Sequence, residues 1–500
     1  MVNYVPDFEK YHNVINNELT STSATRHAIC PSNEEPLWEV PVSSKEDLDR
    51  AVDVAKAAYS TWSKLSFDER AQYLNTFADA IEANKSQIIE LLGKELGKPP
   101  QAAGFEFDLT MGLARETPKM RLKEEKPIDD EDRTAIVRYV PLGVVAGIIP
   151  WNFPLAIGVG KLFPALLAGN AFIWKPSPFS PYSALKIAEL GARILPPGVL
   201  QALSGDESLG PHFTAHPDIA KIGFTGSVET GKRIMAACAS TLKRVTLELG
   251  GNDAAIICDD VDIDAVVPKV CPLLSLIPPS GRLIGSNTDC LSLFVHVGQI
   301  CMNVKRIYVH ENIYDKFLAA LVEATKKFPK GDHTEPQAFF GPIQNRMQYE
   351  KLQKFYSHIE KDNWKTALGG VPEPNIGESK GFYIPATIID NPPEDSRIVT
   401  EEPFGPIAPV LKWKDEGDVI ARANATRFGL GGSVWSQDVS RAKRMAEQLE
   451  AGSIWVNTAF ELAPNVPFGG HKESGLGMEW GELGLKGWCN PQAYWIKHSG

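Results

Sequence analysis

The chain has 500 residues, 43% of them hydrophobic and 23% charged, with a net charge of -11. That length is more than one compact core supports and predicts two or three domains. The acidic balance excludes a general nucleic-acid binder, which needs clustered Lys and Arg against phosphate; no apolar run approaches the roughly 20 residues that span a bilayer.

The first residues, MVNYVPDFEKYHNVINNEL, carry neither a signal-peptide nor a transit pattern. The seven cysteines (Cys30, Cys238, Cys258, Cys271, Cys290, Cys301, Cys489) form no CxxC and no cluster with His. Structural zinc and a disulfide framework are therefore not expected, and a cytoplasmic, reducing location is. Ser43-x-x-Glu46 and Ser44-x-x-Asp47 are capping-box patterns opening a helix whose apolar face runs Leu48, Val52, Ala55, Tyr59, Trp62. A second helix carries Leu74, Phe77, Ile81 and Ile88 and stops at Gly97-Lys98-Pro99. Charges crowd 119–138, which reads as exposed strand or linker.

From Gly143 short apolar strands alternate with helices. GVVAGIIP, AFIWKP, AKIGFTG and VTLELGG read as buried strands; SALKIAELGARI and VETGKRIMAACASTLKR read as the crossover helices between them. This alternation predicts an α/β fold with a mostly parallel sheet covered on both faces, binding ligands beyond the carboxyl ends of its strands. A second α/β stretch follows Cys301, and CNPQAYWIKH at the end reads as a strand added to another sheet.

Chemistry-bearing clusters sit at strand-to-loop junctions: PWNFP (150–154), KPSPFSP (175–181), FTGSVETGK (224–232) and LELGG (247–251). The turn into the helix at FTGSVETGK offers backbone N–H groups to a phosphate. Gly226-x4-Gly231-Lys232 nearly spells a P-loop, but Arg233 stands where a magnesium-holding Ser or Thr is needed, so the NTPase reading fails. A lone Glu in a strand, such as Glu248, is more often a rim or ion-paired residue, and a lone Cys more often an inert thiol.

Taken in order, PWNFP, KPSPFSP, FTGSVETG, LELGG, GQIC, EEPFGP (401–406) and PFGGHKESGLG (467–477) resemble the NAD(P)-dependent aldehyde dehydrogenase superfamily, in a branch with KPSPF replacing the more usual Lys-x-x-Glu. The resemblance implies an aldehyde substrate, NAD as cofactor with NADP possible, and no metal. It assigns Cys301 as nucleophile, Asn152 as oxyanion donor and Glu248 as base for the deacylating water. It places Lys175 on the adenosine ribose, Gly226, Ser227 and Gly231 at the pyrophosphate and helix start, Glu402 on the nicotinamide ribose, and Trp151 and Phe404 nearby. Pro178 replaces the Glu that accepts from the adenosine 2′-hydroxyl in many relatives, which removes one barrier to NADP. The implied fold is a Rossmann-type cofactor domain (1–120 and 142–249), a catalytic α/β domain (250–484), and segments 121–141 and 485–500 forming a small oligomerisation sheet. A homodimer or dimer of dimers follows, with Tyr494 and Trp495 near the contact.

The pattern breaks at two places. His296 stands where many relatives carry Asn, which points to an aromatic or bulky aldehyde. The chain between Glu248 and Cys301 is also longer than the family's usual spacing. Its extra stretch, 271–293, carries Pro272, Pro278, Pro279, Gly281 and Gly285 without helical or strand periodicity. Either it is a surface insertion or it is a retained small intron, the reading its lack of patterning favours. Its position beside the nucleophile leaves a catalytically silent structural or binding protein as the alternative function.

Overall fold

The computed structural model describes residues 4–270, 293–372 and 380–498. Apart from Leu293, the stretch 271–293 lies outside the described residues. Helix Lys45–Trp62 starts at Ser44, whose side chain accepts from the Asp47 N–H while Asp47 bonds back to the Ser44 N–H. Of the two overlapping capping patterns the second is used, a contact worth about 1 kcal/mol. Ser43 instead accepts from Asn13 Nδ2 at 2.9 Å. The long helix expected through Ile88 is two helices, Phe67–Ala83 and Lys85–Leu96. Asn84 divides them, its Nδ2 donating to the Ala80 carbonyl at 2.8 Å, the local competition that makes Asn a poor residue inside a helix. Gly97, at φ +68°, then ends the second helix.

Among the described residues, an eight-stranded sheet runs in the order Gly475–Leu476, Arg244–Glu248, Lys221–Thr225, Val144–Ile148, Ala171–Lys175, Leu200–Ala202, Asn13–Ile15, Glu18–Thr20. From Arg244–Glu248 to Leu200–Ala202 every pairing is parallel. Alternate strand residues serve opposite faces. Val145, Phe172 and Trp174 pack into one core with helices Pro154–Leu167 and Tyr182–Gly191, while Ala146 and Ile173 pack into another with Lys45–Trp62 and Val228–Ala239. Strand order reverses at Val144–Ile148, so the crevice beyond it and Lys221–Thr225 is a topological switch point. Two pieces were not foreseen: the N-terminal hairpin Asn13–Thr20, and Gly475–Leu476, which pairs antiparallel with Leu247 and Glu248.

Also among the described residues, a seven-stranded sheet follows in the order Thr366–Leu368, Thr387–Asp390, Ile407–Trp413, Val304–His310, Asp253–Ile257, Gly431–Trp435, Ser453–Val456. The chain leaves the carboxyl end of Arg244–Glu248 and, after Leu249–Asn252, enters the amino end of Asp253–Ile257. Cys301 and Glu402 likewise sit just before Val304–His310 and Ile407–Trp413. Carboxyl ends of the first sheet thus meet amino ends of the second. The strand Cys489–Lys497 pairs antiparallel along Arg133–Pro141, with Glu125–Asp129 on the other side.

Candidate active site

The strand Val144–Ile148 delivers PWNFP to the crevice. Pro154 opens the helix Pro154–Leu167, whose Leu155 and Ala156 N–H groups donate to Glu106 Oε1 at 2.9 and 3.3 Å. Just before it, Asn152 is buried and donates through Nδ2 to the Gln299 carbonyl at 2.9 Å. Gln299 is fully buried and held at both ends: its Oε1 accepts from the Gln344 N–H at 3.0 Å and its Nε2 donates to the His296 carbonyl at 3.2 Å. One of the two Asn152 amide hydrogens is thereby fixed.

Cys301 is half-buried. Close approaches set its loop. A Cβ on Gly251 would lie 2.5 Å from the Cys301 carbonyl oxygen, and one on Gly298, at φ +73°, would lie 2.3 Å from the Gly405 carbonyl oxygen. LELGG, GQIC and EEPFGP therefore touch, and only glycine permits it. Burial pushes the Cys301 thiol up to about 12; Lys305 acts in the opposite direction, while Glu402, Glu248 and Asp253 add to the rise. Glu248 is 4% exposed, and neither carboxylate oxygen has a hydrogen-bond partner. Burial first, then Glu479, holds its carboxyl well above the ordinary range, with Lys161 opposing.

Asn152, Glu248 and Cys301 line one chamber of about 650 Å³, open mouth included. Its walls are otherwise largely apolar, with Phe105, Phe153, Ile300, Phe460, Phe468 and Trp480 contributing. Phe105 sits edge-on to Phe153 at 6.3 Å, and Phe468 stacks on Trp480 at 5.3 Å. Lys161 and Glu479 also line it, paired at 2.7 Å. His296 is not among the lining residues. It is buried against Phe153, ring centroids 5.7 Å apart, and that ring lines the chamber. Burial, helped by the Lys98 charge, lowers its pKa well below the usual imidazole value and keeps it neutral.

The other expected residues lie around the switch point. Ser227 caps helix Val228–Ala239, its Oγ accepting from the Thr230 N–H at 3.3 Å. The Gly226 N–H donates to the Glu248 carbonyl at 3.0 Å, which ties this turn to the next strand. Gly231 lies further into the helix. A Cβ there would meet Leu249 at 2.6 Å, so its place in the structure is helix packing. Lys175 is 5% exposed; burial lowers its pKa to about 8, and its ammonium reaches the Pro176 carbonyl at only 3.4 Å. Glu402 accepts from the Gly251 N–H at 3.1 Å and pairs with Lys305 at 3.2 Å. Trp151 and Phe404 meet edge to face at 5.5 Å.

A family model described as the aldehyde dehydrogenase family matches residues 19–274 and 288–494. The chain belongs to the aldehyde dehydrogenase family. It is 39% identical over 490 residues to aldehyde dehydrogenase LUC3 of a Fusarium species, covering 98% of this chain and 99% of the relative. It is 35% identical over 462 residues to a betaine aldehyde dehydrogenase of Sinorhizobium fredii, covering 90% of each. Among solved structures, the NAD+ complex of an aldehyde dehydrogenase from Bacillus cereus superposes with a TM-score of 0.91 at 30% identity, covering 98% of this chain and 97% of that one. The two matched stretches leave 275–287 between them, inside the stretch read as an insertion. Among the described residues no helix is long and apolar enough to cross a membrane.

Several site residues escaped sequence reading. Lys161 is a single cation in the apolar helix PLAIGVGKLFPALL, and a lone Lys among apolar neighbours, where desolvation is costly, was the available signal. Lys305 lies beside Arg306 in the strand VKRIYVH, where two adjacent cations gave no sign that one is buried. Glu479 and Trp480 had no local signal, because only the return of Gly475–Leu476 to the first sheet brings their segment to Glu248.

Proposed function

We propose that this aldehyde dehydrogenase oxidises apolar, bulky or aromatic aldehydes to carboxylic acids with NAD+, through a covalent thioester on Cys301. The observation that carries the reading is that Cys301, Asn152 and Glu248 line one chamber whose remaining walls are mostly aromatic and aliphatic. Cys301 loses its thiol proton to solvent and attacks the aldehyde carbon as the thiolate. The second Asn152 amide hydrogen and the Cys301 backbone N–H receive the developing oxyanion. When bound, NAD+ supplies the hydride acceptor. Collapse of the thiohemiacetal leaves a thioester, and Glu248 takes the proton from the water that cleaves it, releasing acid and restoring the thiolate.

The residues present suit a dinucleotide. Lys175, whose buried ammonium makes one long contact to the Pro176 carbonyl, is free to bond the adenosine ribose, Gly226 and Ser227 stand at a helix start fit for the pyrophosphate, and Glu402 offers a carboxylate to the nicotinamide ribose beside Trp151 and Phe404. NAD+ complexes of similar enzymes support the choice, and Pro178 leaves NADP use open. Aromatic walls also attract a quaternary ammonium, and Lys161 lines the same chamber paired with Glu479, so betaine aldehyde is the competing substrate.

NADH formation with benzaldehyde, phenylacetaldehyde, hexanal, acetaldehyde and betaine aldehyde tests this. The first three should lead, and preference for betaine aldehyde would overturn the substrate class. Retained turnover in Cys301→Ala would remove the mechanism. The unmatched stretch 275–287 favours one second reading, a silent protein when that stretch is present. Inactivity toward every aldehyde, reversed by removing 271–293, would establish it. A tryptic peptide ending at Arg282 in native protein would eliminate the retained intron.

A further inference from the structure

Beneath the nucleophile loop lies a buried cation that the reaction above leaves unused. Lys305 is 5% exposed, and its ammonium donates to the carbonyls of Ile300 at 2.9 Å and Cys301 at 2.5 Å. The same nitrogen pairs with Glu402 Oε1 at 3.2 Å. Those contacts use the three donors of an ammonium, so a charge that is costly to bury is anchored in three directions. Two anchors belong to the segment carrying the nucleophile, and the third belongs to EEPFGP. Near it Asp253 is buried, and its carboxyl is pushed up to about 7 by burial, with Lys305 and the Gly431 N–H opposing.

We propose that Lys305 is a positioning residue that couples the nicotinamide-ribose carboxylate to the nucleophile, holding Glu402 and the Cys301 carbonyl in one arrangement and placing a positive charge on the backbone of the nucleophile itself. The proposal rests on the reading of Cys301 as nucleophile and Glu402 as ribose ligand. Among the charged groups acting on the thiol, Glu402, Glu248 and Asp253 disfavour its thiolate and Lys305 favours it. A neutral residue in its place leaves carboxylates alone against the sulfur. Thiolate formation becomes harder, and Glu402 loses the partner that aims it.

The test is the rate of alkylation of Cys301 by iodoacetamide, quantified at that residue by mass spectrometry on the full chain, together with KM for NAD+. In Lys305→Gln the alkylation rate constant at pH 8 should fall tenfold or more and KM for NAD+ should rise tenfold or more. Lys305→Arg, which keeps the charge, should stay nearer the parent rate. Glu402→Gln removes a carboxylate that disfavours the thiolate, so its alkylation should be faster. The combined Lys305→Gln and Glu402→Gln variant should raise KM for NAD+ by less than the product of the single effects. Unchanged alkylation rate and KM in Lys305→Gln, an equal slowing in Lys305→Arg, or an unmoved rate in Glu402→Gln would each overturn the proposal. Should Lys305→Gln fail to fold, Lys305→Met, neutral and of similar length, takes its place in the same comparison. Failure of the underlying assignments has a different signature, namely aldehyde turnover by Cys301→Ala or an unchanged KM for NAD+ in Glu402→Gln.

Discussion

Glu248 shows how one residue acquires a role from its surroundings. In the sequence it is a carboxylate at a strand end. In the fold it is stripped of hydrogen-bond partners, faces Glu479, and is held well above the ordinary carboxylate range. A general base works only when ionised, so thioester hydrolysis should rise with pH through that elevated pKa, not near the pKa of a solvated Glu. Steady-state kcat against pH should show this limb, and Glu248→Gln should slow hydrolysis and erase the limb while the first burst of NADH persists. Asn152→Ala should lower kcat roughly a hundredfold, the usual loss for one oxyanion donor, as read from initial rates at saturating aldehyde. At the adenosine ribose, Pro178→Glu should raise KM for NADP far more than KM for NAD, because a carboxylate there repels a 2′-phosphate. An equal rise in both constants would mean that position 178 does not read the ribose.

At the scale of elements, the helix Pro154–Leu167 owes its placement to a buried ion pair. Lys98 and Glu106 have side chains 0% exposed and bond directly to each other. Glu106 Oε1 also accepts from the first N–H groups of that helix, where a negative charge suits the helix dipole. Burial lowers the Lys98 pKa, and Glu106 opposes the shift. Removing one partner leaves an uncompensated buried charge, so Lys98→Met should cost about 3–5 kcal/mol in chemical denaturation. Adding Glu106→Gln should recover part of that loss. Asn152 lies immediately before this helix, so aldehyde turnover should fall in the Lys98 variant even under conditions where it remains folded.

For the whole molecule, the three-stranded sheet leaves aromatic surface in water. Tyr494 is 47% and Trp495 58% exposed on the edge strand Cys489–Lys497, whereas Trp488 just before it is buried at 1% and meets the Phe172 ring at 6.0 Å. An edge strand with exposed aromatics is a template for another chain, and closed two-fold symmetry is the commonest way to cover one. We therefore propose a homodimer or a dimer of dimers built across this edge. Deleting 489–500 should give monomers or insoluble protein by size-exclusion chromatography with light scattering, and an unchanged active oligomer would refute the assignment.

The strands from Val144 to Glu248 and their crossover helices were legible in the sequence because apolar runs and capping residues act locally. The motif set reached the family for a related reason: each motif sits in a turn whose chemistry is written in adjacent residues, as in PWNFP or FTGSVETG. Boundaries governed by one side chain were less legible, such as the break at Asn84. What joins Cys301, Glu248, Asn152 and Lys305 is not local. It depends on the chain passing from the carboxyl end of one sheet to the amino end of the next, and on Gly251 and Gly298 allowing three loops to touch. The same holds for Glu479, Trp480 and the ring of Phe153 that packs against His296. Their sequence neighbours say nothing of the chamber, because long-range backbone pairing, from Gly475 to Glu248 across the sheet edge, is what brings them there.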